Sequence, residues 1–530
     1  MRLLNTTTLK LEEFFSDHVP KYAILSHRWE KEEVAFQDLL NGVGVSMAGY
    51  AKITGCCAQA ISDGWQYAWV DSCCIDKSSS AELSEAINSM FKWYRNAQVC
   101  YVYLSDVPTG YATSLDPTNP NSTGSSKFLR SKWFTRGWTL QELLAPATVV
   151  FYDQEWVRMG TRADLESLLS FITGIQDFAN FETACVAQKM SWASERETTR
   201  VEDKAYCLMG LFDVNMPPLY GEGENAFLRL QLEILSKSDD ESIFAWTEEM
   251  GHALKTGLLA RSPLAFKNCG NIEIGAVSKI FRMERPPYSM TNKGLRMEHF
   301  LVASPNPEVT DSLSLLNCKR AGTADYLAVF LFTDAESHFS RGYADELFEL
   351  DLIEERKHIT RKTLYIKQQT AVPGPFDRKR TIFSISLGNS MWHGFSVWKY
   401  YFASILDEWR EGGGEFSGST LIGRGSKAAL SLINNHGETF AVVIGYGKNS
   451  AMKMRIFENF HRIEGLFALF DSEPVNAYDF NKLKTLQSGK EVSVYVNLDD
   501  RSEPGKLLHE VDISLRETVT KSGFWGPVNE

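Results

Sequence analysis

Apolar and amphipathic segments alternate along the first 155 residues. Short apolar runs at 22–26, 66–71, 99–104 and 147–152 have the length and composition of buried β-strands. Between them, residues 50–62 and the segment after Ser79 carry apolar residues at helical spacing. Strands separated by helices favour a parallel sheet that is covered on both faces. We therefore predict an α/β core over about residues 20–155.

The segment after Ser79 has the clearest helical pattern in the chain. Its apolar stripe consists of Leu83, Ala86, Ile87, Met90, Phe91 and Tyr94. Ser79 and Glu82 stand at the spacing of a capping box, in which each side chain accepts a backbone N–H from the other residue. The pattern predicts a helix that begins after Ser79 and buries this stripe.

The pattern changes after the α/β core. Residues 156–250 are mainly amphipathic and predict a helical extension of the same domain. After Trp246, short runs separated by turn residues predict β-strands at 326–332, 363–367, 381–387, 440–446 and 491–498. We therefore expect one domain over residues 1–250 and a mainly β domain, a sandwich, over residues 260–530.

Composition narrows the classes of function. With 55 Lys and Arg against 67 Asp and Glu, the net charge of −12 disfavours binding to nucleic acid or anionic lipid. The nine cysteines include no C-x-x-C pair, so we expect neither a disulfide framework nor a metal site. The chain begins without the apolar run of a signal peptide, and its apolar stretches are too short for a membrane span. We expect a cytoplasmic protein.

Polar and aromatic residues follow the first two predicted strands. They are Ser26, His27, Arg28 and Trp29 after the first strand, and Asp71 and Asp76 after the second. Open α/β sheets bind ligands at the carboxyl ends of their strands, so these residues are candidates for a binding site. For the two aspartates, capping of turns and helix starts is an equal alternative. A hydrolase would have to use His27, and Ser26 is too close in sequence to serve easily as its nucleophile.

Residues 136–146, with the sequence RGWTLQELLAP, contain the strongest catalytic candidate. Glu142 follows Trp138 by four residues, which places both side chains on one face of a helix that Pro146 ends. A carboxylate beside an aromatic ring could hold a planar cation and stabilise positive charge that develops next to it. The alternative is a buried tryptophan with a solvated glutamate.

Four ordered motifs resemble the fungal heterokaryon incompatibility (HET) domain. They are YAILSHRW at 22–29, YAWVDSCCID at 67–76, RGWTLQELLAP at 136–146 and RVEDKAYCL at 200–208, the last continuing to Glu224. The resemblance covers about the first 245 residues. It implies a fungal protein of non-self recognition and innate immunity that triggers programmed cell death.

HET domains are in turn similar to TIR domains, flavodoxin-like signalling modules of which several cleave NAD. In those TIR domains the catalytic glutamate follows a tryptophan by four residues, as Glu142 follows Trp138. The likeness implies that Glu142 is catalytic and that NAD is a substrate, with no cofactor. It further implies substrate contacts by Ser26, His27, Arg28, Trp29, Asp71, Asp76 and Trp138.

Within that site, Arg28 would hold the diphosphate, and Asp71 or Asp76 would accept the ribose hydroxyls. Because TIR-like domains include adaptors, the alternative is a non-enzymatic module that signals through homotypic contacts. The expected partners are a second copy, through the HET domain, and a protein trigger. We expect the C-terminal β domain, which shows no catalytic pattern, to restrain the HET domain.

Overall fold

The computed structural model divides the chain into two compact units. The first comprises residues 1–249 and 255–370, and the second comprises residues 250–254 and 371–530. The structure describes residues 1–15, 18–111, 114–248, 253–277, 280, 286–303, 312–335, 338–342, 344–352, 359–368, 372–373, 381–387, 395–403, 409–411, 414–417, 420–425, 427–434, 438–446, 452–458, 481–486, 490–499 and 508–517. The expected domain boundary at residues 250–260 stays a prediction.

A seven-stranded sheet forms the centre of the α/β region. Its strands are β1 (Arg2–Asn5), β2 (Leu11–Glu13), β3 (Tyr22–His27), β4 (Tyr67–Trp69), β5 (Val99–Tyr103), β6 (Val149–Tyr152) and β7 (Arg158–Thr161). They lie in the order β2-β1-β4-β3-β5-β6-β7. The four strands expected from the sequence pair in parallel, which confirms the α/β class. Antiparallel β1, β2 and β7, which the sequence did not predict, complete the two edges.

Five helices accompany this sheet. They are α1 (Phe36–Leu40), α2 (Tyr50–Ser62), α3 (Ser80–Asn96), α4 (Thr123–Leu129) and α5 (Thr139–Leu144). The side chain of Ser79 accepts the backbone N–H of Glu82 at the start of α3, as predicted. The Glu82 carboxylate instead accepts the backbone N–H of Asp76 and pairs with Arg2, so the expected capping box is half formed. The predicted stripe is buried except for Leu83, which is half-buried.

Short helices form much of the expected helical extension, which begins with strand β7, and the bounds of the extension stay a prediction. Its helices are α6 (Glu166–Thr173), α7 (Val186–Ala193), α8 (Asp203–Tyr206) and α9 (Asn225–Lys237), with 3-10 turns at Phe181–Thr183, Met209–Phe212 and Glu241–Phe244. None of the helices within the described residues has the length and hydrophobicity required to cross a membrane.

A second sheet follows the extension along the chain. Its strands are β8 (Ala253–Thr256), β9 (Ile272–Ile274), β10 (Ser289–Thr291), β11 (Gly294–Ala303), β12 (Ser312–Arg320), β13 (Tyr326–Ala335), β14 (His338–Gly342), β15 (Phe348–Leu350) and β16 (Ile359–Ile366). The main path runs β15-β13-β12-β11-β16-β14-β8, while β9 pairs with β12 and β10 with β11. Residues 255–370, expected in the C-terminal domain, thus lie in the first compact unit.

The extension joins this sheet at residues 241–246, which we call the junction. Buried Arg341 donates hydrogen bonds to the carbonyl oxygens of Phe244 (2.9 Å) and Trp246 (2.5 Å), and its guanidinium lies 3.9 Å from the Trp246 ring centroid. Burial lowers the pKa of Arg341 to about 9. A buried cation that bonds two carbonyls ties the extension firmly to the sheet.

The second unit is mainly β, as expected. Its strands are β17 (Val372–Pro373), β18 (Thr381–Ser386), β19 (Phe395–Ala403), β20 (Trp409–Glu411), β21 (Gly414–Ser417), β22 (Thr420–Gly425), β23 (Lys427–Asn434), β24 (Thr439–Tyr446), β25 (Met452–Glu458), β26 (Asn481–Thr485), β27 (Lys490–Asp499) and β28 (Leu508–Glu517). Two sheets have the orders β21-β22-β18-β28-β27-β26 and β20-β19-β23-β24-β25. Both contribute to one hydrophobic cluster, with Val494 and Ile513 from the first and Leu430 and Val442 from the second. The sandwich stays a prediction.

Candidate functional site

Glu142 lies in α5, where it is only 5% exposed. The hydroxyl of Ser26, at the end of β3, donates a hydrogen bond of 2.5 Å to its Oε2. The indole Nε1 of Trp133 donates to the same hydroxyl at 2.9 Å. A solvated Glu142, the alternative left open by the sequence, is therefore wrong. Ser26 joins the strand end to the carboxylate, and Trp133 fixes the orientation of Ser26.

The turn before α5 explains how Trp133 and Glu142 reach the same hydroxyl. The side chain of Thr139 donates to the carbonyl oxygens of Trp133 (2.7 Å) and Arg136 (2.8 Å). Buried Arg196 donates to the Thr139 hydroxyl (2.9 Å) and to the Arg136 carbonyl (3.0 Å). These bonds hold residues 133–139 in one conformation and set the direction of α5.

The electrostatics of Glu142 favour the neutral acid. Burial is the largest cause, and the nearby charge of Asp71 adds to it, while Ser26, Arg136 and Tyr94 oppose the shift. Together they raise the pKa of Glu142 to about 8. In this conformation the side chain is therefore mostly protonated at neutral pH.

His27 and Asp71 form the next part of the site. The buried His27 ring lies between two carboxylates, with Nδ1 3.8 Å from Asp71 Oδ1 and Nε2 3.5 Å from Glu33 Oε2. Both distances are long for hydrogen bonds, and within the described residues neither ring nitrogen has a hydrogen-bond partner. The other oxygen of Asp71 accepts the indole N–H of Trp29 at 2.8 Å. The structure thus brings His27, Trp29 and Asp71 together.

A buried ion pair lies on the far side of His27. Lys52 of α2 contacts the Glu33 carboxylate and donates to the Arg28 carbonyl at 3.1 Å. Burial alone would raise the pKa of Glu33, but the contacts with His27 and Lys52 lower it to about 2. This pair borders a cavity of about 220 Å³. Its lining residues are Glu30, Lys31, Glu32, Glu33, Ala48, Gly49 and Lys52, so the cavity does not reach Glu142.

Three sequence candidates lie differently from expectation. The Arg28 side chain is exposed, and in the described part of the chain it forms no ion pair. Asp76 accepts the backbone N–H (3.0 Å) and the hydroxyl (2.6 Å) of Ser78, which is the capping geometry that the sequence left as the alternative. Trp138 is the N-cap residue of α5 rather than a residue of the helix, and its side chain is close enough to Asp203 to lower the pKa of that carboxyl.

Sequence reasoning missed four residues of this network: Trp133, Tyr94, Glu33 and Lys52. Tyr94 was read as core, yet its hydroxyl donates to the Leu25 carbonyl at 2.9 Å and lowers the pKa of Glu142. The position of Lys52 could have been recognised from the sequence. It lies on the buried side of α2 next to Ile53, and a buried lysine usually pairs with a carboxylate.

The motif RVEDKAYCL at 200–208, with its continuation to Glu224, has a structural explanation. Glu202 accepts the backbone N–H groups of Gly221 (2.8 Å) and Gly223 (3.2 Å). The two glycines have φ values of 106° and 62°, in the left-handed region. Tyr206 donates to Glu222 at 2.8 Å. Residues 202–206 therefore fold the loop at 217–224 onto the start of α8.

Comparisons with known proteins agree with this organisation in the N-terminal part. A family profile described as "Heterokaryon incompatibility protein (HET)" matches residues 22–119. The "Vegetative incompatibility protein HET-E-1" of Podospora anserina is 48% identical over 235 residues, which cover 42% of this chain and 17% of that protein. The chain thus spans about a sixth of the length of this relative.

Solved structures offer a weaker likeness. Wild-type Xerocomus chrysenteron lectin XCL matches 25% of this chain and 99% of the lectin, at 16% identity and a TM-score of 0.20. A mutated form of the same lectin matches with a TM-score of 0.19 at 15% identity, over 25% of this chain and 97% of the lectin. Scores this low carry no conclusion about fold or ligand. From the match at residues 22–119 and the 48% identity to HET-E-1, this chain carries a heterokaryon incompatibility (HET) domain.

Proposed function

We propose that this chain acts in heterokaryon incompatibility, as a non-self recognition protein that triggers cell death, and that its HET domain hydrolyses NAD at Glu142. The name of the relative HET-E-1 supports the biological role. The parallel strands β3, β4, β5 and β6 follow one another in the order 2-1-3-4, which supports the flavodoxin-like class to which TIR domains belong.

The observation that carries the catalytic part is the position of Glu142 beside the carboxyl end of β3, bonded to Ser26. Nicotinamide leaves NAD as a neutral molecule from a cationic glycoside, so no general acid is needed. One ionised carboxylate can stabilise the positive charge that develops on the ribosyl carbon. Glu142 has this role in the proposal.

The protonated, enclosed Glu142 corresponds in this proposal to a resting state. With a pKa of about 8, the carboxyl is mostly neutral and cannot stabilise a cation well. Assembly that admits water to Glu142 would remove the effect of burial, lower this pKa and ionise the group. Activity would then depend on assembly rather than on substrate alone.

The test is cellular NAD content and cell death after expression of the full chain in a fungal host. Glu142→Gln should abolish both NAD loss and death, because the amide keeps the size of the side chain but carries no charge. Glu85→Gln, which changes an exposed glutamate of α3, should leave both unchanged. Cell death that persists in Glu142→Gln with normal NAD would contradict hydrolysis.

A non-enzymatic adaptor is the second candidate. One surface favours it: Leu40, Val43 and Val45, between α1 and α2, are 57%, 54% and 64% exposed. Exposed apolar residues that cluster along the chain are typical of protein contacts. In this alternative two HET domains associate and Glu142 is a structural residue.

A further inference from the structure

Trp138 has a ring that the fold leaves partly exposed. It is half-buried, and no aromatic ring or cation stacks on it within the described residues. The other tryptophans of the site are occupied: the Lys77 ammonium lies 3.3 Å from the Trp29 ring centroid, and Trp133 packs edge-on against Phe134 at 5.1 Å. Trp138 is therefore available to stack with a ligand.

Two arginines beside Trp138 are also available. The guanidinium groups of Arg136 and Arg200 form no ion pair and donate no hydrogen bond to the residues that the structure describes. Arg136 is half-buried, whereas Arg200 is exposed and lies 4.2 Å from the ring centroid of Tyr220. By contrast, the guanidinium of buried Arg196 bonds to the protein. Two cations without an ion pair in the described residues, next to a partly exposed ring, suit an anionic ligand that carries an aromatic group.

Asp203 brings these side chains together. The hydroxyl of Tyr220 donates to its carboxylate at 3.0 Å, and the side chain of Trp138 is close enough to lower its pKa. Burial raises the pKa of Asp203, and both arginines are close enough to oppose that shift. Asp203 therefore lies close to both rings and to both guanidinium groups.

The backbone fixes this arrangement. The N–H of Gly137 donates to the Glu197 carbonyl at 2.9 Å. A Cβ at Gly137 would lie 2.6 Å from Thr198 Cγ2 and 3.2 Å from Cys207 Sγ, so only glycine permits this close approach. The turn at 136–138 thus lies directly against residues 197–207, which explains the glycine at position 137.

We propose that Arg136, Trp138, Arg200 and Tyr220 bind the diphosphate and one ring of a dinucleotide, an inference that rests on the proposed NAD hydrolysis. The two guanidinium groups bind the phosphate oxygens, and Trp138 stacks on the ring. Because Arg136 is close enough to Glu142 to act on its charge, a ligand held here lies near the carboxylate. In this proposal Arg136 and Arg200 bind the diphosphate, in place of Arg28, which the sequence predicted for that contact.

The test is equilibrium binding of ADP-ribose, which has the diphosphate but no nicotinamide, to the purified full chain by calorimetry. Arg136→Met and Arg200→Met should each weaken binding by about tenfold or more, the usual range for a hydrogen bond to a charged group. Arg130→Met, which changes an exposed arginine outside the cluster, should bind as the original chain does. Since Arg200 is exposed, its substitution alone decides the question if Arg136→Met fails to fold.

Absence of ADP-ribose binding, or unchanged affinity in Arg200→Met, would overturn the site. The two proposals can fail separately. Nicotinamide release from NAD with unchanged affinity in both arginine variants rejects the site and keeps hydrolysis. Arginine-dependent binding in a chain that leaves cellular NAD intact supports the site and rejects hydrolysis.

Discussion

Two buried glutamates of the first unit have opposite surroundings. Glu142 at the strand ends receives a hydrogen bond from Ser26 and is close to the like charge of Asp71. Glu241 at the junction accepts hydrogen bonds from the Tyr288 hydroxyl (2.7 Å) and the Asn317 backbone (2.7 Å).

His299 completes the surroundings of Glu241, with its Nε2 3.4 Å from the carboxylate and both side chains 1% exposed. A carboxylate with several donors and a basic neighbour stabilises the fold. One with few donors and an acidic neighbour is destabilised where it lies, which is the usual condition of a functional group. The difference favours a structural role for Glu241 and agrees with the catalytic role proposed for Glu142.

The largest expected effect is that of truncation at the junction. A fragment of residues 1–249 should not fold stably, because buried Phe244, Trp246 and Glu241 would lose their partners in the second sheet. A fragment of residues 1–370 contains the whole first unit and should unfold in one cooperative transition. Circular dichroism during thermal unfolding compares the two fragments. A cooperative 1–249 fragment would contradict the structural role of the junction.

The second effect concerns Glu241 itself. Glu241→Ala should lower the free energy of unfolding by about 3 to 5 kcal/mol, since it leaves His299, the Tyr288 hydroxyl and the Asn317 N–H buried beside a cavity. The matched control is Glu233→Ala at an exposed position of α9, with an expected change within about 0.5 kcal/mol. Denaturant unfolding measures both. If both variants lost the same free energy of unfolding, Glu241 would have no special structural role, and its contrast with Glu142 would disappear.

The third effect is a pH dependence with a definite sign. Glu142 has a raised pKa in the folded protein, about 8 against 4.5, so its contribution to stability is complete below pH 4.5 and is lost as pH rises through 8. Between pH 5 and pH 7 the original chain should lose about 2 to 3 kcal/mol relative to Glu142→Gln, which does not titrate. Denaturant unfolding of both proteins at several pH values measures this. Parallel pH profiles would refute a neutral, buried Glu142.

The smallest effect is that of the indole donor. Trp133→Phe keeps the ring contact with Phe151 but removes the hydrogen bond to Ser26, so stability should fall by about 1 kcal/mol. Ser26 would then turn more freely, and Glu142 would exchange its proton faster. Carbon NMR of the Glu142 carboxyl follows that exchange. A carboxyl signal and stability identical to those of the original chain would show that Trp133 does not orient Ser26.

Much of the fold followed from the sequence because local periodicity reports burial. Strand β3 is buried along its whole length and is apolar up to Leu25, and α2 occupies the predicted range. β1 and β2 escaped prediction because strands of four and three residues are too short to show a period. The same limit applies to the site. The residues at the strand ends could be predicted, whereas Trp133 could not, because no spacing links it to Ser26.

The sequence by itself determined the alternation of strands and helices, the HET resemblance and the choice of Glu142 as the residue to study. Only the tertiary structure decided that Ser26 and Trp133 enclose Glu142, that Trp138 lies close to Asp203, and that the junction belongs to the first unit. The physical reason is the distance along the chain over which each kind of interaction acts. Periodicity and turn residues act over a few neighbours, while the ionisation of a buried carboxyl depends on donors and charges from distant segments that only folding brings together.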